Sequence, residues 1–115
     1  MRIRSDIFVS ALMRRVFSAG GFAAIEHKGA EAAGAVFVRQ RFRDGTETLY
    51  APAPQNVFED PGDATERRFE KRLERQEPAR IAEHLSGERR FDSDLWVVEL
   101  EADDINGLFA VVDAG

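Results

Sequence analysis

The spacing of hydrophobic positions changes several times along the chain, and each change marks an element. From residue 5 to residue 21 the sequence reads SDIFVSALMRRVFSAGG, with Phe8, Leu12 and Val16 at helical spacing beside Val9, Met13 and Phe17. Ser5 is expected to cap this helix, Asp6 suits its first turn, and Gly20 and Gly21 supply the stop. Arg14 and Arg15 fall on the flank near its C-terminus, an ordinary place for solvated cations. FAAIEHK, residues 22–28, follows as a strand. In AVFVRQRF an apolar run turns into alternation. Val36, Val38, Gln40 and Phe42 share one face, and Phe37, Arg39, Arg41 and Arg43 the other. Asp44-Gly45 then predicts a hairpin into TETLY, which Pro52 and Pro54 bring to an end.

Beyond the hairpin, residues 55–66 (QNVFEDPGDATE) read as a surface loop rich in turn formers. RRFEKRLERQ carries two competing signals. Its composition and the Phe69/Leu73 spacing suit a helix, whereas Phe69, Lys71 and Leu73 on one face suit an edge strand, which is the preferred reading. Pro78 opens a second helix whose apolar face holds Ile81, Ala82 and Leu85. LWVVELE is the next strand, with Trp96, Val98 and Leu100 on a face expected to pack against Phe8 and Phe17. Val97, Glu99 and Glu101 form the opposite face, expected to be wet. The tail INGLFAVVDAG is a further short apolar segment whose type the pattern leaves open. The expected fold is α+β: a small antiparallel sheet of about four to five strands packed against two helices. The order is helix, three strands, weak strand, helix, strand. It is read as one domain over residues 1–115, with a flexible surface loop at about 53–66 and a mobile tail at 105–115.

Composition narrows the function classes. A chain of 115 residues that is 43% hydrophobic, with nine phenylalanines, has the material for a core. A net charge of -5 opposes non-specific affinity for nucleic acid or an anionic membrane. The absence of cysteine removes disulfides, thiolate zinc sites and cysteine nucleophiles, and leans toward the cytoplasm. The apolar stretch IFVSALM is broken by Arg14 and Arg15 and is far shorter than a membrane span, so a soluble protein is expected.

Candidate chemistry concentrates in RRFDSDLWVVELEADD, residues 89–104. A metal cage there would need oxygen ligands converging from several directions. Asp92 and Asp94 instead precede the strand in a turn where carboxylates accept backbone N–H groups, and the glutamates lie on the wet face. His27 and His84 have no HxH or HExxH spacing, and the chain has no GxSxG, GxxxxGK[ST] or GxGxxG. Glu26-x-Lys28 is reminiscent of small Mg²⁺-dependent nucleases, but it sits on the first strand, not the third. The leading expectation is a non-catalytic binding or assembly module working through a protein partner or a homodimer. Arg39, Arg41, Arg89, Arg90, Asp92 and Asp94 are the candidate ligand or partner surface. The alternative is a small metal-assisted hydrolase or nuclease-like enzyme with Glu26, His27 and Lys28 as acid/base candidates. No cofactor, metal ligand or catalytic residue is assigned, and no nucleic acid or membrane is expected among the partners.

The helix SALMRRVFSAGGFAAIEHKG, the strand and hairpin GAVFVRQRFRDGTETLYAPAP and the C-terminal RRFDSDLWVVELE together resemble a bacterial domain-of-unknown-function family, number fourteen ninety-one. The resemblance spans roughly residues 3–101 and implies no activity, cofactor or catalytic residue. It favours a strand for RRFEKRLER. Two turns depart from the family pattern. Ser93 stands where proline is usual, and AEAA (residues 30–33) stands where an aspartate is usual.

Overall fold

Helix α1 spans Ser5–Ser18 and buries Phe8, Val9, Leu12 and Val16, the stripe that the spacing predicted. The computed structural model describes residues 3–54 and 67–112, so the loop expected at 55–66 lies outside it. The end of α1 is a Schellman closure: the Gly20 N–H donates to the Phe17 carbonyl at 3.1 Å and the Gly21 N–H to that of Val16 at 2.9 Å. Gly20 has φ +86°, a conformation glycine adopts without a Cβ penalty. Ser5 does not cap the helix. Its hydroxyl donates to the Gly34 carbonyl at 2.5 Å and accepts from Arg67 at 2.8 Å, so it ties the helix start to the loop before β2.

The remaining elements are β1 (Phe22–His27), β2 (Val36–Arg41), β3 (Glu47–Pro52), β4 (Arg68–Gln76), α2 (Pro78–Phe91), β5 (Trp96–Glu101) and β6 (Ala110–Val112). They build one six-stranded sheet in the order β1-β5-β2-β3-β4-β6. The expectation of an antiparallel sheet of four to five strands is corrected in two respects. The sheet is mixed, because β5 runs parallel to β2 and β6 parallel to β4. The tail also supplies the extra strand. Both parallel pairings are long-range, and local periodicity carries no information about which distant strand fills a gap.

The two helices lie on opposite faces of the sheet and give it two cores. Under α1 pack Val36, Val38, Tyr50, Phe69, Trp96, Val98 and Leu100. Under α2, Ile81 and Leu85 cover Phe37, Leu49, Ala51, Leu95 and Val97. Val97 is therefore dry, which overturns the wet face expected for β5 at that position. Trp96 is 2% exposed and packs in the same core as Phe8, as expected. Phe17 does not join that core: it is 50% exposed and meets Phe22 edge-on at 6.0 Å between ring centroids.

β4 is a strand, and an irregularity in it decides where its side chains go. Tyr50 pairs with Lys71 while Leu49 pairs with Leu73, so one extra β4 residue is accommodated and the side-chain alternation slips. Phe69 consequently packs on the α1 side and Leu73 on the α2 side, not on one face together. The hairpin forms at the predicted Asp44-Gly45, with Gly45 at φ +88° and the Asp44 carboxylate accepting from the Thr46 N–H and hydroxyl.

Candidate functional site

The densest chemistry on the sheet lies on its α2 face, beyond the edge of the helix. β2 sends Arg39 and Arg41 to this face, β3 sends Glu47, β1 Glu26 and β5 Glu99 and Glu101. The Arg39 Nε donates to Glu47 at 2.5 Å and its Nη1 to Glu26 at 2.8 Å, while Nη2 donates to the Pro78 carbonyl at 3.3 Å. Arg41 bonds the second Glu47 oxygen at 3.1 Å and Glu99 at 2.8 Å. Glu47 is fully buried (0% exposed), and Arg39 is 8% exposed. The Glu47 hydrogen bond is the main cause that pushes the Arg41 guanidinium above its ordinary pKa. A dry carboxylate clamped by two guanidiniums is a structural knot, since each charge is compensated by a hydrogen-bonded partner.

Arg39 and Arg41 thus belong to this knot, with Arg39 closed off from solvent. Glu47 had not been singled out in the sequence, although a signal was available. Counting back from the Asp44-Gly45 turn sets Arg41 directly opposite Glu47, and the observed register does pair them. On the α1 face a second polar link replaces packing: the Tyr50 hydroxyl donates to Gln40 at 3.0 Å, and Gln40 donates to the Ala102 carbonyl at 2.6 Å. Burial raises the Tyr50 pKa above the ordinary phenol value.

Glu26, His27 and Lys28 do not converge. Glu26 is held by Arg39, and Lys28 lies 3.9 Å from Glu31 at the surface. The His27 Nδ1 is 2.8 Å from the Leu95 carbonyl. Among the described residues, no three metal-ligating side chains come together as a group.

The structure brings His27 to Arg89 and Arg90. These three, with Ser86 and Ser93, line a cleft of about 350 Å³ between the end of β1, the last turn of α2 and the turn into β5. Asp92 belongs to that turn and accepts the Asp94 N–H at 3.0 Å, as the sequence implied. The Asp94 carbonyl accepts the Ala30 N–H at 2.8 Å, where the 28–35 loop crosses β5. A Cβ at Gly29 or Gly34 would run into that same carbonyl, so these two glycines permit the crossing. The crossing also fixes Trp96, whose indole N–H donates to the Ala30 carbonyl at 2.8 Å. Phe91, just beyond the two arginines, is 94% exposed. A second cavity of about 800 Å³ opens at the other end of the sheet among Gly20, Arg41, Arg43, Glu101, Asp103 and Asn106.

No helix among the described residues is long and apolar enough to cross a membrane. Residues 3–110 match a family model described as "Protein of unknown function (DUF1491)". A protein from A. tumefaciens, solved in solution, is 63% identical over 100% of this chain and 98% of its own, with a TM-score of 0.86. A DUF1491 family protein from Caulobacter crescentus CB15, in a 1.87 Å crystal structure, is 31% identical over 97% of this chain and 99% of its own, with a TM-score of 0.77. An NMR structure of a DUF1491 family protein from the same organism matches with the same identity and TM-score. No curated protein matches.

Proposed function

We propose, given that the chain belongs to the DUF1491 family of proteins of unknown function, that it is a non-catalytic assembly module that associates with a second copy of itself through β1. The observation that carries this reading is the character of that edge. β1 is six residues long and pairs on one side only, with β5. From Phe22 to Ile25 it bears no charge and no proline, two of the means by which an edge strand is kept from pairing. The opposite edge, β6, spans three residues. Phe22, Ile25 and the neighbouring Phe17 are exposed and form an apolar margin along β1. Two copies of one edge strand can pair antiparallel about a two-fold axis, which makes the interface self-complementary and closed. Glu26 interrupts the ladder with β5, so the regular stretch is short and the association is weak and concentration-dependent. The cysteine-free composition fits a cytoplasmic setting.

Light scattering on a size-exclusion column, from micromolar to millimolar protein, tests the proposal. A rise toward twice the monomer mass is expected, abolished by Ile25→Lys and unchanged by Phe91→Ala. A strict monomer across the whole range overturns it, as does a dimer indifferent to Ile25→Lys.

A further inference from the structure

We infer that the cleft between β1, the end of α2 and the α2–β5 turn binds a small tetrahedral oxyanion, the phosphate group of a phosphomonoester. The chain is acidic, with 21 carboxylate residues against 16 lysines and arginines, and Arg4, Arg39, Arg41, Arg43, Arg72 and Arg75 are taken up in ion pairs. Arg89 and Arg90 are not. Among the described residues neither makes an ion pair, and the two carboxylates nearest in sequence leave them free. Asp92 turns to the Asp94 N–H, and Glu88 reaches Arg72 at 3.3 Å. Two adjacent uncompensated guanidiniums in a chain of net charge -5 make a local positive site, and guanidinium donors match phosphate oxygens in pairs.

The rest of the cleft adds short-range donors. Ser86 and Ser93 line it with hydroxyls that have no side-chain partner among the described residues. His27 lines it too, and its orientation is set from behind. A carbonyl can only accept, so the contact to Leu95 uses the Nδ1 proton; the Nε2 of the neutral ring is then an acceptor, which takes the P–OH of a monoprotonated phosphate and not a bare phosphate oxygen. These five residues come from β1 and from the stretch 86–93, which only the fold brings together, so the cleft exists only in the folded protein. Its volume of about 350 Å³ suits a phosphate group and a small attached moiety. The negative end of the α2 dipole opposes an anion here, and the two arginines in its last turn offset that field. An exposed cleft of this kind gives weak affinity.

Titration of the full chain with sodium phosphate and with free phosphoserine, followed by ¹H–¹⁵N NMR at constant ionic strength, is the test. Saturable shifts are expected at residues 86–93 and at the His27 Nε2 resonance. Sulfate should compete, and acetate should not. Arg89→Gln and Arg90→Gln should each weaken binding about tenfold. Both sites are exposed, so the variants should melt like the parent, and Arg14→Gln should bind as the parent does. Phosphate shifts with none from phosphoserine would limit the site to the free ion and overturn the phosphomonoester assignment. The site itself is refuted by an absence of saturable shifts, by equal shifts with acetate, or by shifts spread evenly over Arg14 and Arg43.

Discussion

Replacing Glu47 by alanine asks whether the charged knot on the α2 face is as dry as its geometry implies. Removing one partner of a buried ion pair costs about 3–5 kcal/mol, because the other charge is left uncompensated away from water. Two features place this site at the lower end. The Arg41 side chain is 40% exposed and keeps Glu99, so it contributes little to the loss. Arg39 is buried but keeps Glu26 and the Pro78 carbonyl. A loss of about 3 kcal/mol follows for Glu47→Ala. Urea unfolding followed by circular dichroism reads it directly. With an m-value of about 1.5 kcal/mol/M, the midpoint should fall by about 2 M. The paired variant Arg39→Met/Glu47→Leu removes both buried charges while keeping volume, and leaves Glu26, the Pro78 carbonyl and the half-exposed Arg41, which keeps Glu99, to turn to solvent; it should recover most of the loss. A cost below about 1 kcal/mol for Glu47→Ala, with no recovery in the pair, would show that water reaches Glu47 and would refute the reasoning.

Two further outcomes are expected. Trp96→Ala should cost about 3–5 kcal/mol, through the cavity left in the α1-side core and the loss of the indole bond to Ala30; native tryptophan emission should be blue-shifted and resistant to iodide, and strong quenching would contradict the packing. The Thr46 hydroxyl, first, and the Thr46 N–H hold the Asp44 carboxyl below its ordinary value of 3.8. The unfolded chain therefore takes up that proton at a higher pH than the folded one. The stabilisation is complete above the ordinary value and is lost as pH falls through the depressed one. Asp44→Asn should flatten this part of the acid-unfolding curve, and a carboxyl ¹³C titration with its midpoint at or above 3.8 would contradict it.

The parts of the fold that could be read from the sequence are those fixed within about ten residues. The α1 stripe, the Gly20–Gly21 stop, Pro78 at the start of α2 and the Asp44-Gly45 hairpin depend on neighbours along the chain, and each formed as expected. The errors share one cause, which is that the partner lies far away in sequence. Ser5 is a good cap by type, but Gly34 and Arg67 claim its hydroxyl. Val97 alternates with glutamates and looked wet, but α2 covers it. Of the candidate site, the cross-strand pair of Arg41 and Glu47 was within reach of the hairpin register. The approach of His27 to Arg89 and Arg90 was not, because it depends on β5 lying beside β1.

The position of β5 has a consequence for how the protein is made. β1 has a single neighbour in the sheet, and that neighbour is β5, synthesised after four other strands and both helices. A nascent chain emerging from the ribosome therefore holds β1 without its sheet neighbour, while the β2–β3 hairpin can close as soon as it appears and offer Val36, Val38 and Tyr50 to α1. During that interval the FAAI segment is exposed on both edges, and its native partner competes with any other strand edge nearby. Folding is gated by the arrival of Trp96–Glu101, and a chain arrested before that point cannot complete the amino-terminal half of its own sheet.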